Sequence, residues 1–428
     1  MKSLNLSYAI YALNALPLAL VVFPLFVFVG EHYSSSLGVS LFGIGIIFLV
    51  IRLLDGVLDP VIGLLSDKFN FWFGRRKFWL VISVPITTLS VWGLFAADAS
   101  SEEALQYFAV NIIFLTIGLS FFGPPYYSLG AELSQEYLER SKIAFLREGC
   151  FLLGTITAAL IYALSDGSTD GLRNIALAVI ILHPVTVMLT LIFVKESKGK
   201  NNSGGGIGFK DLFKTLVAEE KVQKFFLSQF FNSAANGIPG ALFAFFVIHR
   251  LEREDLVGPL MLVYLVSGVI AVPIWIFLGK LFPKTKLWCF SMFFSMLIFL
   301  LVFFVGAEDN FLFFVICILT GLSVSADMAL PTSIQADLLD EDFNNTGRNR
   351  AGAFFSILSI INKTAAALSG AFVLLFLYSV NFDPMGNNSG VILFYLTCLY
   401  ALVPIVLKII PIIIMWSFPE KVNSRETI

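Results

Sequence analysis

Three ionisable residues with helical spacing lie inside a long apolar run near the N-terminus. Arg52, Asp55 and Asp59 are separated by three and four residues, so in a helix all three share one face. Two carboxylates one turn apart can supply several oxygen ligands to Na⁺ or share a proton, and they repel each other when no cation is bound. Cation occupancy can therefore bias how such a helix packs. The alternative is a structural ion network in which Arg52 neutralises Asp55.

Three more charged residues interrupt apolar runs, where each charge indicates a partner or a function. Asp327 is followed at 331–333 by a polar, proline-containing segment typical of a cavity lining, although a role in helix packing stays open. Lys363 could pair with either carboxylate of the first cluster or hold a substrate anion. Lys408 is expected to snorkel toward the membrane surface.

The composition places these residues in a membrane. The chain has 428 residues, of which 57% are hydrophobic and 14% are charged. Soluble domains carry roughly a quarter charged residues, so this much apolar surface must face lipid. The net charge of −2 provides no basic field for nucleic acid. The 3 histidines and 4 cysteines form no catalytic or CxxC arrangement, so we expect neither an enzyme nor a resident cofactor.

Apolar runs of 18 or more residues predict an all-α membrane protein with about twelve transmembrane helices. Lys and Arg cluster in alternate loops, which places both termini in the cytoplasm of an inner (plasma) membrane protein. The expected spans, numbered 1 to 12, are 8–30, 39–65, 78–97, 106–129, 144–165, 174–194, 224–248, 258–280, 288–306, 311–333, 351–377 and 389–417.

The chain divides into two similar halves. A Gly- and Asn-containing linker at 195–223 separates expected six-helix bundles at 1–194 and 224–428. Residues 14–20 resemble 236–242, residues 118–120 match 321–323, and residues 129–133 resemble 334–338. Two parallel six-helix repeats are the pattern of major-facilitator transporters, which open a midplane site to alternate sides. We include Asn14, the first residue of the repeated segment in span 1, among the expected substrate-binding residues.

A further set of charged residues follows the cytoplasmic ends of the spans. We interpret these residues as ionic latches that contribute to gating or topology, rather than as substrate ligands. The alternative is that they are ordinary solvated loop charges. The set comprises Asp67, Arg75, Arg76, Arg140, Asp337 and Arg348.

The segment Arg52-Leu-Leu-Asp55-Gly-Val-Leu-Asp59-Pro60, with Gly74-Arg75-Arg76 after it, resembles the span-2 signature of the glycoside–pentoside–hexuronide:cation symporters of the major facilitator superfamily. The segment 336–350, followed by Lys363, fits a second signature of that family. The resemblance covers the whole chain. It implies symport of a small solute with Na⁺ or H⁺ by alternating access, but it does not specify the solute.

The resemblance also implies residue roles. Asp55 and Asp59 fall on the family's cation-binding carboxylates, and Lys363 falls on its functional span-11 lysine. Arg147 falls near a span-5 arginine that helps to bind sugar, and Tyr126-Tyr127 falls on an aromatic stretch that lines the cavity. The partners implied are a small-molecule substrate, a coupling cation and the lipid bilayer, and facilitator-type proteins usually act as monomers.

Two departures from the family concern solute recognition. The acidic sugar ligand of span 1 falls on Ala19, and the acidic residue of span 4 falls on Gly123. The resemblance therefore implies that the cation-binding residues are retained, whereas the residues that recognise sugar are replaced or lost. We hypothesise that Asp327 supplies the missing polar ligand for the solute. A sugar or glycoside is the leading expectation. The alternative is an amphipathic or lipid-like solute, because vertebrate sodium-dependent lysophospholipid symporters resemble this family and share the paired span-2 acids.

Overall fold

The computed structural model describes residues 6–68, 74–96, 103–134, 137–196, 219–307, 309–346 and 351–419. Every regular element in these ranges is helical. Short 3₁₀ segments lie at Glu254–Leu256 and Val302–Phe304, and a π-helical turn lies at Cys398–Leu402. The α-helices are Leu6–Leu13, Ala15–Val27, Val29–Ser35, Leu41–Lys68, Lys77–Phe95, Ala104–Glu132, Tyr137–Ala163, Ser168–Phe193, Glu220–His249, Val257–Leu281, Lys284–Leu301, Asn310–Thr346, Ala351–Ser379, Gly390–Thr397 and Val403–Trp416.

Twelve helical segments of the described chain are long and apolar enough to cross a membrane, which confirms the expected fold class. Helices suit this environment because each satisfies its backbone hydrogen bonds internally. In the numbering used above, spans 1 to 12 are Leu6–Val27, Leu41–Gly63, Lys77–Phe95, Ala104–Gly130, Leu146–Ala163, Ser168–Phe193, Glu220–His249, Glu254–Gly279, Lys284–Phe304, Asn310–Asp342, Ile360–Ser379 and Gly390–Trp416.

Span 1 is interrupted near its start. The helix stops at Leu13 and resumes at Ala15, and the side-chain amide of Asn14 donates to the carbonyl oxygen of Tyr11 over 3.1 Å. The apolar stretch ends at Val27 rather than at residue 30 as expected, and the short helix Val29–Ser35 follows it. A local side-chain hydrogen bond of this kind lets a polar residue occupy an apolar helix.

The helices form two compact units. The first comprises Met1–Lys200 with Glu254–Pro259 and Leu374–Asn387, and the second comprises Asn201–Arg253, Leu260–Val373 and Asn388–Ile428. The sequence had placed the two short segments of the first unit in the second bundle. Each unit has an aromatic-rich core: Tyr11, Phe122 and Tyr126 in the first, and Phe225, Phe226, Trp288 and Phe354 in the second.

One pair of repeated segments forms a close helix contact in both units, but with different neighbours. A Cβ atom on Gly118 of span 4 would lie 2.6 Å from the hydroxyl oxygen of Thr87 on span 3. A Cβ atom on Gly321 of span 10 would collide with the carbonyl oxygen of Tyr264 on span 8. Small residues allow membrane helices to approach in this way. The two repeated glycines thus both allow a close helix contact, but the helix that they contact differs between the units.

Candidate cation and substrate sites

The charged face of span 2 forms as the spacing predicted. Nη1 of Arg52 donates to Oδ2 of Asp55 over 3.2 Å, and Arg52 also interacts electrostatically with Asp59. The Arg52 guanidinium lies 4.8 Å from the ring centroid of Phe26 on span 1. The side chains of Arg52 and Asp55 are 15% and 20% exposed, so the cluster is partly accessible. With both carboxylates ionised, the three residues carry an excess of one negative charge, which a bound cation would balance.

Span 4 passes beside this face and leaves room near it. A Cβ atom on Gly63 of span 2 would lie 4.0 Å from Cβ of Pro124. Among the described residues, a Cβ atom on Gly123 would meet only the ring of Tyr127, at 3.9 Å. The described residues contain no group of three or more His, Cys, Asp or Glu side chains placed to hold a metal ion. A sodium ion bound by the span-2 pair would need hydroxyl, backbone or water oxygens as well, whereas a proton would not.

The expected aromatic site forms around Arg147. Its guanidinium lies 4.7 Å from the ring centroid of Tyr127, whose side chain is 43% exposed. Nη2 of Arg147 donates to Oε1 of Glu148 over 2.7 Å. Tyr126 is fully buried and stacks on Tyr11, with ring centroids 4.5 Å apart. Arg147 and the exposed Tyr127 thus lie together beside the two buried tyrosines. Tyr11 was missed because a tyrosine in an apolar span gives no sequence signal beyond packing.

Span 1 contributes packing at the two positions that the sequence singled out. Asn14 has no exposed surface, and its Nδ2 donates to Oγ1 of Thr190 on span 6 over 2.6 Å. Ala19 is also fully buried, and a Cβ atom on Gly154 of span 5 would lie 2.8 Å from the Ala19 methyl group. Because spans 1 and 5 touch here, a carboxylate at position 19 would have no room.

A buried polar network surrounds Asp327 in the second unit. Its Oδ2 accepts from Nζ of Lys408 over 3.1 Å and from Nδ2 of Asn236 over 3.0 Å. Its Oδ1 accepts from Nε1 of Trp288 over 3.1 Å. Lys408 also donates to Oδ1 of Asn232 over 3.1 Å. Both carboxylate oxygens of Asp327 are therefore occupied by donors within the unit.

Lys408 does not snorkel, so that expectation was wrong. Its side chain is only 2% exposed and points into the network, toward spans 7 and 10. A lysine can enter a membrane-embedded core when an ionised carboxylate and an amide oxygen replace its hydration. The sequence does not reveal this pairing because Lys408 and Asp327 are 81 residues apart.

A second polar group joins spans 7 and 11. Oδ1 of Asn362 accepts from Nε2 of Gln229 over 2.9 Å and from Oγ of Ser233 over 2.8 Å. The next residue, Lys363, is exposed. The predicted lysine therefore lies beside a hydrogen-bonded side-chain cluster on the same helix.

One end of the first unit, where spans 2 and 4 end and span 3 begins, carries an ionic cluster. Nη2 of Arg75 and Nη2 of Arg76 both donate to Oε1 of Glu132 at the end of span 4, over 2.7 and 3.0 Å. Nη1 of Arg76 donates to Oγ of Ser66 over 2.5 Å. These contacts tie the start of span 3 to the ends of spans 2 and 4.

The turn before span 3 extends that cluster to span 6. The backbone amide of Arg76 donates to Oε1 of Glu196 over 2.8 Å. Gly74 has a φ of 114°, and a Cβ atom there would collide with the Glu196 carboxylate. Both the positive φ and the closeness of the Glu196 carboxylate require glycine at position 74. Glu196 was not singled out from the sequence because it resembles an ordinary linker charge.

The second unit has an ion pair at the corresponding place. Nζ of Lys284 at the start of span 9 donates to Oδ2 of Asp337 near the end of span 10, over 2.6 Å. Asp337 matches Glu132 in the sequence repeat, so both halves connect an acid of the fourth span to a base at the start of the third. Lys221 adds a bond of 2.8 Å to Oε1 of Glu341. The side chains of three other expected gating residues, Asp67, Arg140 and Arg348, lie outside the described residues.

The helical architecture and its paired ionic clusters define a membrane transporter of the major-facilitator fold. A crystal structure of the nucleoside transporter NupG has the same fold, with a TM-score of 0.67, 15% sequence identity and coverage of 98% of this chain and 100% of that chain. The chain belongs to the MFS/sugar transport protein family, whose sequence profile matches residues 10–420.

Named relatives fall into two groups. The chain is 25% identical to a putative glycoside/cation symporter, YagG, of Escherichia coli, over 88% of this chain and 83% of that protein. It is 22% identical to the human sodium-dependent lysophosphatidylcholine symporter 1, over 91% of this chain and 79% of that protein. The family resemblance read from the sequence is confirmed, and both types of solute occur among the relatives.

Proposed function

We propose that the protein is a secondary active symporter that uses a gradient of Na⁺ or H⁺ to move a sugar or glycoside across the bacterial inner membrane by alternating access. The observation that carries the proposal is the partly accessible Arg52–Asp55–Asp59 face of span 2, in a chain whose relatives include cation symporters. We also propose that the protein acts as a monomer and that both of its termini lie in the cytoplasm.

Cation binding supplies the coupling in this proposal. Arg52 balances one of the two carboxylates, so the empty face keeps an excess negative charge. A cation bound by Asp55 and Asp59 removes this charge and stabilises the conformations in which the two carboxylates lie close together. A ligand shifts a conformational equilibrium only by its differential affinity for the two states, and the span-2 pair provides that difference.

The Arg147–Tyr127 surface supports a sugar or glycoside as the solute. An aromatic ring offers an apolar face for the C–H side of a sugar ring, and a guanidinium offers several donors for hydroxyl oxygens. The positions of Ala19 and Gly123 require a binding mode without the acids that related symporters use there. In this proposal Arg147, Tyr127 and Lys363 contact the solute.

A lipid-like solute is the second candidate, and one observation favours it. The buried contact between Ala19 and Gly154 leaves span 1 without an acid at the position of the sugar ligand. The human lysophosphatidylcholine symporter is similar along most of the chain. In this alternative, Arg147 or Lys363 would contact a phosphate group while an apolar surface accommodates the acyl chain.

Uptake into proteoliposomes tests the proposal and separates the two solutes. Purified protein is reconstituted, a Na⁺ gradient or a pH gradient is imposed separately, and accumulation is measured for a panel of radiolabelled glycosides and for lysophosphatidylcholine. We expect glycoside accumulation that depends on one gradient. Accumulation of lysophosphatidylcholine alone would support the second candidate. If neither the Na⁺ gradient nor the pH gradient drives accumulation of any solute, symport would be contradicted.

A further inference from the structure

Asn236 is an exposed amide at the middle of an apolar helix. It lies near the centre of Glu220–His249, the helix of span 7, and its side chain is not covered by the second unit. Polar side chains at this depth avoid lipid, because hydrocarbon offers no hydrogen-bond partners. The exposed face of Asn236 therefore borders a water-accessible path rather than acyl chains.

The network behind Asn236 fixes the orientation of its amide. Nδ2 of Asn236 donates to Asp327, and an ionised carboxylate can only accept. Lys408 donates to the same oxygen, Oδ2, and Trp288 donates to Oδ1, so these two residues hold Asp327 in place. The Nδ2 atom of Asn236 is therefore directed toward Asp327, and its carbonyl oxygen Oδ1 is presented as an acceptor on the exposed side.

The neighbouring side-chain amide, that of Asn362, leaves a hydrogen-bond donor rather than an acceptor available. Oδ1 of Asn362 accepts from both Gln229 and Ser233, so its Nδ2 is the group left to donate. Ser233 and Asn236 are three residues apart and hence lie one above the other on span 7. Oε1 of Gln229 is buried and has no hydrogen-bond partner among the described residues, so another acceptor in this group is open to a donor.

We propose that Asn236 is a solute-binding residue of the second unit, that its Oδ1 accepts a hydrogen bond from a solute hydroxyl, and that Asp327 is a positioning residue acting through it. This inference rests on the proposed function and deepens it, because it specifies a hydroxylated solute. A phosphocholine headgroup has no O–H or N–H to donate, so in a lysophospholipid only the free glycerol hydroxyl could make this bond, whereas a glycoside offers several hydroxyls. Asp327 itself does not touch the solute.

Thiol labelling tests the location of Asn236 without any transport assay. The four native cysteines are replaced, and Asn236→Cys is compared with Leu297→Cys, an exposed apolar position on span 9. The reagent is a charged methanethiosulfonate, which requires a water-exposed thiolate. We expect labelling at position 236 at least tenfold faster than at position 297. Equal, slow labelling at both positions would overturn the inference even if symport is established.

Solute kinetics test the hydrogen bond. For the glycoside that the wild-type protein accumulates most, Asn236→Ala should raise KM about tenfold with little change in maximal rate, since one hydrogen bond to the solute is lost. Leu227→Ala, on the opposite face of span 7, should leave KM unchanged. Asp327→Asn should also raise KM, and Asp327→Glu should restore part of the loss. An unchanged KM in Asn236→Ala overturns the inference. Absence of glycoside uptake by the wild-type protein overturns the proposed function instead. In that case, thiol labelling still tests whether Asn236 is exposed to water.

Discussion

Asp327 and Lys408 form an ion pair, 3.1 Å long, inside the second unit, where the lysine side chain is 2% exposed. Removing one member of a buried pair leaves an uncompensated charge and typically costs about 3–5 kcal/mol, whereas replacing both members costs much less. We therefore expect Lys408→Met to lower the melting temperature of the purified protein strongly, and Asp327→Asn/Lys408→Met to recover much of the loss. Thermal unfolding in detergent measures both variants. Additive losses in the double variant would show that the pair is not coupled.

Glu132 accepts hydrogen bonds from two guanidinium groups, so its charge holds the start of span 3 and the end of span 4 together. Replacing it with Gln removes the negative charge that Arg75 and Arg76 share. Glu132→Gln should increase the accessibility of Arg75→Cys to a charged thiol reagent, measured in a background without native cysteines. Asp337→Asn, which breaks the corresponding bond to Lys284, is the matched comparison in the second unit. Unchanged accessibility in Glu132→Gln would argue against a latch.

Glu31 and His32, adjacent residues outside the membrane spans, have opposite pH effects. Burial raises the pKa of Glu31 from 4.5 to about 7 and lowers the pKa of His32 from 6.5 to about 4. A raised carboxyl pKa means that the native state keeps a proton that the unfolded state has released, so stability falls as pH rises from 4.5 to 7. The depressed histidine pKa means that stability falls as pH drops from 6.5 to 4.

The two effects on stability offset each other between pH 4.5 and 6.5. Removing the ionisable group at Glu31 should therefore reveal the pH dependence that His32 contributes. Glu31→Gln is expected to have a higher melting temperature than wild type at pH 7.5 and a steeper loss of stability on acidification. Glu103→Gln, at an exposed glutamate, is the matched control. A Glu31→Gln protein that melts at or below the wild-type temperature at pH 7.5 would contradict the assignment.

The Arg147 guanidinium lies over the ring of Tyr127, a contact that a lysine cannot reproduce in full because its ammonium is neither planar nor delocalised. Arg147→Lys should raise KM for the transported solute about tenfold or more while the protein retains its fold. Tyr127→Phe keeps the ring and should have a smaller effect. Uptake kinetics, with thermal unfolding as the check on folding, distinguish these outcomes. Equal KM values for wild type and Arg147→Lys would remove this surface from the solute site.

The sequence predicted which residues lie in spans better than it predicted which way they face. Spacing placed Arg52, Asp55 and Asp59 on one face, because three- and four-residue intervals fix relative angles within one helix. The orientation of Lys408 was misjudged, and the partner of Asn14 was not foreseen, for a common reason. A helix that is apolar around its whole circumference has no amphipathic pattern that shows which side faces the protein. A polar residue on such a helix can therefore face lipid, a water-filled path or a partner helix. Their partners, Thr190 and Asp327, are 176 and 81 residues away.

Cation coupling by the span-2 carboxylates is the central claim, and one comparison tests it most directly. Gradient-driven accumulation and gradient-independent solute exchange are measured side by side in proteoliposomes for wild type, Asp55→Asn, Asp59→Asn and the control Asp170→Asn at an exposed position. We expect both span-2 variants to lose accumulation by more than tenfold, exchange to be reduced less, and Asp170→Asn to behave as wild type. Wild-type accumulation in both span-2 variants would contradict that claim.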